Sequence, residues 1–132
     1  MNAGLKAFSA YKETNAATAI MDATPHQLTG LLLKAATDKL SIAMGAMDRG
    51  DITLRTESIR RATAIIIELK STLNLSEGGE IAAQLDRLYE FSLASLIEAN
   101  GHCDVSKLQA VRDILSEINE AWTGIAPNRS GA

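Results

Sequence analysis

The residues able to carry chemistry are few, and their spacing is unhelpful for it. The chain holds two histidines, His26 and His102, and one cysteine, Cys103. A helical di-iron centre draws glutamates from two helices and a Glu-x-x-His pair from each of the other two. Neither histidine here has a glutamate three residues before it, and Glu98 and His102 straddle the expected end of a helix. No metal is expected, and both histidines are read as facing solvent. Cys103 beside His102 could suggest a nucleophile and its base. Adjacent residues point in different directions, however, and no third group orients the imidazole. Cys103 reads as a loop thiol. Gly78-Gly79 resembles part of an anion-binding turn but lacks the longer glycine pattern and lysine of a phosphate loop, so helix entry explains it better. The acid pairs Glu77/Glu80, Asp86/Glu90 and Glu117/Glu120 sit at helical spacing on polar faces, where solvated surface is the default. No enzyme and no cofactor follow from these residues.

The elements that must position the remaining side chains are helical. The 132 residues are 46% hydrophobic and 22% charged, the balance of one globular domain able to bury a core without disulfides or a structural metal. A net charge of -3 removes the attraction behind most nucleic-acid affinity, so no nucleic acid is expected. Arg55, Arg60 and Arg61 form the densest basic spot, flanked by Glu57 and Glu68, and read as a solvated helix face. An unpaired thiol favours a reducing, cytoplasmic setting. Met1 to Tyr11 lacks the apolar core of a signal peptide, and no later run is long enough for membrane insertion.

Thr24-Pro25-His26-Gln27 has the pattern of a capping box with proline in the first turn, and starts a helix. Its apolar residues recur at Leu28, Leu32, Ala36, Leu40, Ala43 and Met47 until Arg49-Gly50-Asp51 breaks it. A second helix runs from Thr56 to Leu73 through Ile59, Ala62, Ile66 and Leu69. A third is capped by Ser76 and presents Ile81, Leu85, Leu88, Ser92 and Leu96. The fourth starts at Asp104 or Ser106 and carries Leu108, Val111, Leu115, Ile118, Trp122 and Ile125. Short connections favour antiparallel neighbours, so the fold class is all-α: an antiparallel up-and-down four-helix bundle spanning 21–126. Residues 1–20 lack a sustained period and read as a flexible arm, and 127–132 as a frayed tail.

The first helix is apolar over more than one stripe. Leu31, Leu33, Ala35, Ile42, Met44 and Ala46 lie beside its core positions, and the third helix carries Ala82, Tyr89, Phe91, Leu93 and Ile97 in the same way. Either the first helix is enclosed, partly by the arm, or it borders a groove for a partner helix or extended peptide. Periodicity alone leaves both open.

Several segments in order, from Tyr11 to Ile125, carry a resemblance. They are Ala23-Thr24-Pro25-His26-Gln27-Leu28, Glu68-Leu69 before Leu73, Gly79-Glu80-Ile81-Ala82 with Leu85 and Leu88-Tyr89, Ala99-Asn100 with Asp104, and Ala121-Trp122. The set resembles the FliS family of flagellar export chaperones. The family's aromatic-Asp-Gly-Ala stretch is here Leu33-Lys34-Ala35-Ala36, a departure on the surface of the first helix. The resemblance implies a cytoplasmic chaperone that binds the disordered C-terminal segment of flagellin, prevents premature polymerisation, and assists delivery to the flagellar type III export apparatus, whose components are further partners. It also implies an N-terminal strap over an apolar groove. The partner-binding positions are then Tyr11, Ile20 and Met21 of the arm, Leu28, Leu31, Leu32 and Ala35 of the first helix, and Leu85, Tyr89 and Leu93 of the third. The competing reading is a self-associating structural bundle that uses the same apolar surface without a client.

Overall fold

The structure, a computed structural model, describes residues 22–125. The expected arm, 1–20, and tail, 127–132, therefore lie outside the described residues.

Helix α1 spans Pro25–Arg49. The Gln27 backbone N–H donates to Thr24 Oγ1 at 3.1 Å, and the Thr24 N–H donates to Gln27 Oε1 at 3.1 Å, satisfying two otherwise orphaned donors. Gly50 closes the helix at φ 73°, a left-handed conformation that glycine adopts without a Cβ clash. Helix α2 spans Ile52–Ser71 and is capped by Asp51, whose carboxylate accepts from Leu54 N–H at 3.1 Å. It begins four residues before the expected Thr56. The run Arg49-Gly50-Asp51 both stops one helix and caps the next, leaving a connection of only Gly50 and Asp51.

Helix α3 spans Gly79–His102, and here the expected cap is corrected. Ser76 does not cap it. Its hydroxyl donates to Asn74 Oδ1 at 2.9 Å, the same oxygen that accepts from Glu77 N–H at 3.1 Å, so the asparagine organises the loop. The helix enters through Gly78 and Gly79 instead. A Cβ on Gly78 would stand 2.6 Å from Ala82 Cβ and 2.7 Å from the Asn74 carbonyl, while Gly79 has φ 58°. Helix α4 spans Val105–Gly124, with Asp104 accepting from Ser106 N–H at 3.1 Å.

Each helix packs on its neighbours in sequence, and α4 packs back on α1, closing a four-membered ring. Two-residue connections at Gly50-Asp51 and Cys103-Asp104 force antiparallel pairs, so the ring is an up-and-down four-helix bundle. Leu33, Leu40, Ile66, Leu69, Tyr89, Leu96, Leu108, Val111 and Leu115 fill the interior, with Ala36, Ala43, Ala62 and Ala99 between them. Full burial of each large apolar side chain stabilises by roughly 1.5–3 kcal/mol. The alanines allow the helix backbones to approach closely.

The buried faces of α1 and α3 differ from the expected stripes. On α1, Ala36, Leu40 and Ala43 are buried as expected, but Leu33 and Ala46 join them while Leu28, Leu32 and Met47 are only half-buried. Contact with α2 on one side and α4 on the other widens the buried arc beyond one stripe. On α3 the face is turned by one position: Ala82 and Tyr89 are inside, whereas Ile81 and Leu88 are exposed. This rotation buries the larger ring of Tyr89. Ser92 shares the interior, with its hydroxyl donating to the Leu88 carbonyl at 2.8 Å.

Ion pairs trim the surface. Arg60 and Arg61 both bind Glu57, at 2.6 and 2.9 Å, and hold its carboxyl down to about 2. Lys70 ties the end of α2 to Asp86 and Glu90 of α3. No helix among the described residues is long and apolar enough to cross a membrane.

Candidate functional site

An apolar opening lies at the end of the bundle where α1 and α3 begin and α2 and α4 finish. The up-and-down topology brings these four termini together, and the α2–α3 connection at 72–78 is the longest in the ring. Between them is a cleft of about 200 Å³. Leu69, Leu85 and Tyr89 line its interior, with Leu73 and Ile81 on either side of the loop and Trp122 and Ile125 from α4 and its C-cap. Among the described residues, Glu77 is the only charged side chain in the lining.

Trp122 forms one wall, and its orientation is set by two contacts with α1. Its Nε1–H donates to the His26 carbonyl at 2.8 Å, and its ring stacks on the His26 imidazole with centroids 4.7 Å apart and planes 17° apart. His26 is therefore half-buried rather than solvent-facing, and its Nδ1 is buried with no hydrogen-bond partner among the described residues. Such an orphan atom costs roughly 1–3 kcal/mol. On the far side of this ring pair a shallower groove runs between α1 and α4, lined by Ala23, Gln27, Gly30, Leu31 and Lys34 facing Asn119 and Thr123. His26, Trp122 and Ile125 belong to both openings. Asp22, where residues 1–21 join the bundle, is next to Ala23 on the groove's edge.

The arrangement offers apolar surface and little reactive chemistry. No group of three His, Cys, Asp or Glu among the described residues is placed to hold a metal ion. His102 is exposed at the end of α3. Cys103 is the exposed C-cap of that helix at φ 50°, and its Sγ accepts a hydrogen bond from Arg55, which also donates to Asn100 Oδ1. It joins the ends of two helices and lies at the opposite end of the bundle from the cleft.

The positions selected from sequence separate into three groups. Tyr11, Ile20 and Met21 lie outside the described residues. On α1, Leu31 is 39% exposed on the groove's rim, while Leu28, Leu32 and Ala35 are half-buried and Leu32 packs on the core. On α3, Leu85 is half-buried and Tyr89 is 1% exposed, both lining the cleft, and Leu93 packs half-buried against the core. Burial pushes the Tyr89 phenol up to about 12. Helices α1 and α3 are diagonal in the ring, and the selected residues line different openings, Leu31 the groove and Leu85 and Tyr89 the cleft. The cleft and groove meet instead at His26 and Trp122, which sequence pattern alone places in solvent and in the fourth-helix seam. The available signal was topological: in an up-and-down bundle the start of the first helix adjoins the end of the fourth.

Comparison with known proteins gives the family. The family model for flagellar protein FliS matches residues 7–129. A flagellar secretion chaperone FliSB from Pseudomonas aeruginosa is 38% identical over 122 residues, covering 92% of this chain and 97% of the relative. Flagellar secretion chaperones FliS from Vibrio cholerae and Salmonella typhimurium are each 36% identical, covering 89% and 92% of this chain and 87% and 90% of their own lengths. With a family match over almost its whole length and relatives above one-third identity, the chain belongs to the FliS family of flagellar secretion chaperones.

Proposed function

We propose that this chain is a cytoplasmic chaperone that binds the disordered C-terminal segment of flagellin, prevents its premature polymerisation and assists its passage to the flagellar type III export apparatus. The observation that carries the reading is the apolar cleft at the bundle end, which meets a second opening at Trp122 in a protein of this family. A segment that packs against other subunits in a filament must have its apolar face covered beforehand. The cleft and groove together offer concave apolar surface with few charges. Coupled folding of such a segment buries roughly 1,000–3,000 Å² at an ordering cost of about 2–5 kcal/mol, and needs no nucleotide. Release comes from competition at the export gate.

The described chain begins at Asp22, next to Ala23 of the groove, and the sequence before it holds Phe8, Tyr11, Ile20 and Met21, apolar residues suited to anchoring a strap. As a strap over the apolar surface they would shield it and lower the client's apparent affinity by the fraction of time the surface is covered.

Calorimetric titration of the full chain with a peptide of the flagellin C-terminus tests the reading. The expected result is a one-to-one complex with a negative heat-capacity change. Absence of binding would refute it, as would a dimer that fails to dissociate when the peptide is added. Deleting residues 1–15 is expected to lower solubility and change the affinity. If Tyr11 contacts the client after the strap moves, Tyr11→Ala weakens binding. Unchanged solubility and affinity in both variants would remove the arm from the mechanism.

A further inference from the structure

The wall that α3 gives to the cleft ends in a polar group that apolar burial does not explain. From the Gly78 cap the inner face of this helix runs through Ala82 and Leu85 to Tyr89, at spacings of four, three and four residues, and all four line the cleft. Side chains on a helix lean towards its N-terminus, so the Tyr89 ring points towards the end of the bundle where the cleft opens. Gly78 and Ala82 carry too little side chain to cover the phenol from that direction. A Cβ on Gly78 would already stand 2.6 Å from Ala82 Cβ, so nothing larger fits between them. The ring itself belongs to the core, since Tyr89 is buried among its apolar residues.

The hydrogen bonds of the lining single out the hydroxyl. Thr29 Oγ1 donates to the Pro25 carbonyl at 3.1 Å, and Thr72 Oγ1 to the Leu69 carbonyl at 2.7 Å. Asn74 Nδ2 donates to Glu77 Oε2 at 3.1 Å, and Trp122 Nε1 to the His26 carbonyl at 2.8 Å. Each of these groups is engaged. Of the hydroxyl, amide and indole donors in the lining, Tyr89 is the one with no acceptor among the described residues. His26 Nδ1 also lacks a partner, but it is fully enclosed, whereas the Tyr89 hydroxyl is not. The little exposure that Tyr89 keeps therefore includes a free O–H donor in an otherwise apolar cleft. A buried tyrosine hydroxyl ordinarily finds a partner. Burial pushes this phenol up to about 12, because apolar surroundings disfavour its charged form.

We propose that the Tyr89 hydroxyl is a specificity determinant of the client cleft, donating a hydrogen bond to a carbonyl oxygen of the bound segment. This rests on the client reading and adds what the cleft selects. Apolar walls alone accept any apolar side chain, whereas one placed donor favours a segment that brings an unengaged carbonyl to that depth. A main-chain carbonyl inside a helix is committed to the N–H four residues on, and only the last four of a helix are free. The cleft therefore takes an extended stretch, a bend or the last turn of a helix, or else a side-chain amide carried into it. Phenylalanine would fill the same space without the donor, so packing gives no reason for the hydroxyl.

The test titrates wild type and Tyr89→Phe, each as the full chain, with the flagellin C-terminal peptide, and follows urea unfolding of both free proteins at neutral pH. Tyr89→Phe should bind about tenfold or more weakly, because the client's carbonyl is then buried without a donor. Its free-chain midpoint should equal or exceed that of wild type, because the hydroxyl has no partner there to lose. Opposed effects of this kind set a binding group apart from a packing group, whose loss weakens both. Equal affinities overturn the proposal. So does a lower midpoint for free Tyr89→Phe, which would place the hydroxyl's partner within the chain itself. A second peptide with its asparagines and glutamines replaced by alanine identifies the source of the carbonyl. A penalty that persists assigns the main chain and a non-helical segment, and a penalty that disappears assigns a side-chain amide; both support the hydrogen bond. Failure of wild type to bind the native peptide refutes the client reading and the proposal with it, whereas binding without a Tyr89→Phe penalty refutes the proposal alone.

Discussion

Trp122→Ala probes the wall shared by the cleft and groove. The indole is half-buried, packs on the core, stacks on His26 and donates to its carbonyl at 2.8 Å. Truncating a fully buried tryptophan costs about 3–5 kcal/mol. Partial exposure reduces the packing loss to about 2–3 kcal/mol, and the missing hydrogen bond adds about 1 kcal/mol. The expected loss is therefore about 3–4 kcal/mol, a large fraction of the roughly 5–15 kcal/mol available to a folded domain. For a domain of this size that lowers Tm by about 12 °C or more.

Trp122→Phe separates the two contributions. It retains most of the ring but loses the indole N–H, so it should cost about 1–1.5 kcal/mol. Denaturation must be followed by far-UV circular dichroism, because Trp122 is the only tryptophan and its fluorescence disappears with it. The midpoint should move while the denaturant slope stays fixed. A double-mutant cycle with His26→Ala should yield a coupling of about 0.5–1.5 kcal/mol. A loss below about 1 kcal/mol for the alanine variant would refute the assigned packing. Equal losses for alanine and phenylalanine would refute the division between ring burial and hydrogen bonding.

The same chemistry gives other expectations. Leu33→Ala, at a position with no exposure, should cost about 2–5 kcal/mol, whereas Leu31→Asp on the groove rim should leave thermal stability within about 1 kcal/mol and abolish binding of the flagellin tail peptide. Gly78→Ala should destabilise by about 1–3 kcal/mol, because its methyl would press on Ala82 and the Asn74 carbonyl; thermal melts compare it with wild type. Tyr89 has its folded-state value raised from 10 to about 12. Its contribution is present in full below pH 10 and is lost as pH rises from there through about 12, amounting to roughly 2–3 kcal/mol. The denaturant midpoint of wild type should therefore fall relative to that of Tyr89→Phe as pH rises from 10 to about 12, because the phenylalanine variant lacks this loss.

Local sequence signals identify the helices because their causes are local. Thr24 and Gln27 close a capping box, Gly50 supplies the left-handed cap and Asp104 caps α4, all within a few residues of the backbone groups they satisfy. Ser76 misleads for the same reason on a larger scale: Asn74 captures its hydroxyl, and Gly78 takes over helix entry. Which flank of each helix is buried depends on neighbours distant in sequence. Periodicity alone treats Leu88 and Tyr89 as neighbouring candidates, but packing between α2 and α4 places Tyr89 inside and leaves Leu88 accessible. The cleft is further still from local pattern, since its wall comes from residues 96 positions apart, His26 and Trp122. An apolar binding surface has no fixed spacing comparable to metal ligands or a nucleophile and base. Its recognition needs the order of the helices around the ring, so Leu85 and Tyr89 are legible as an apolar flank while the His26–Trp122 ring pair between the two openings is not.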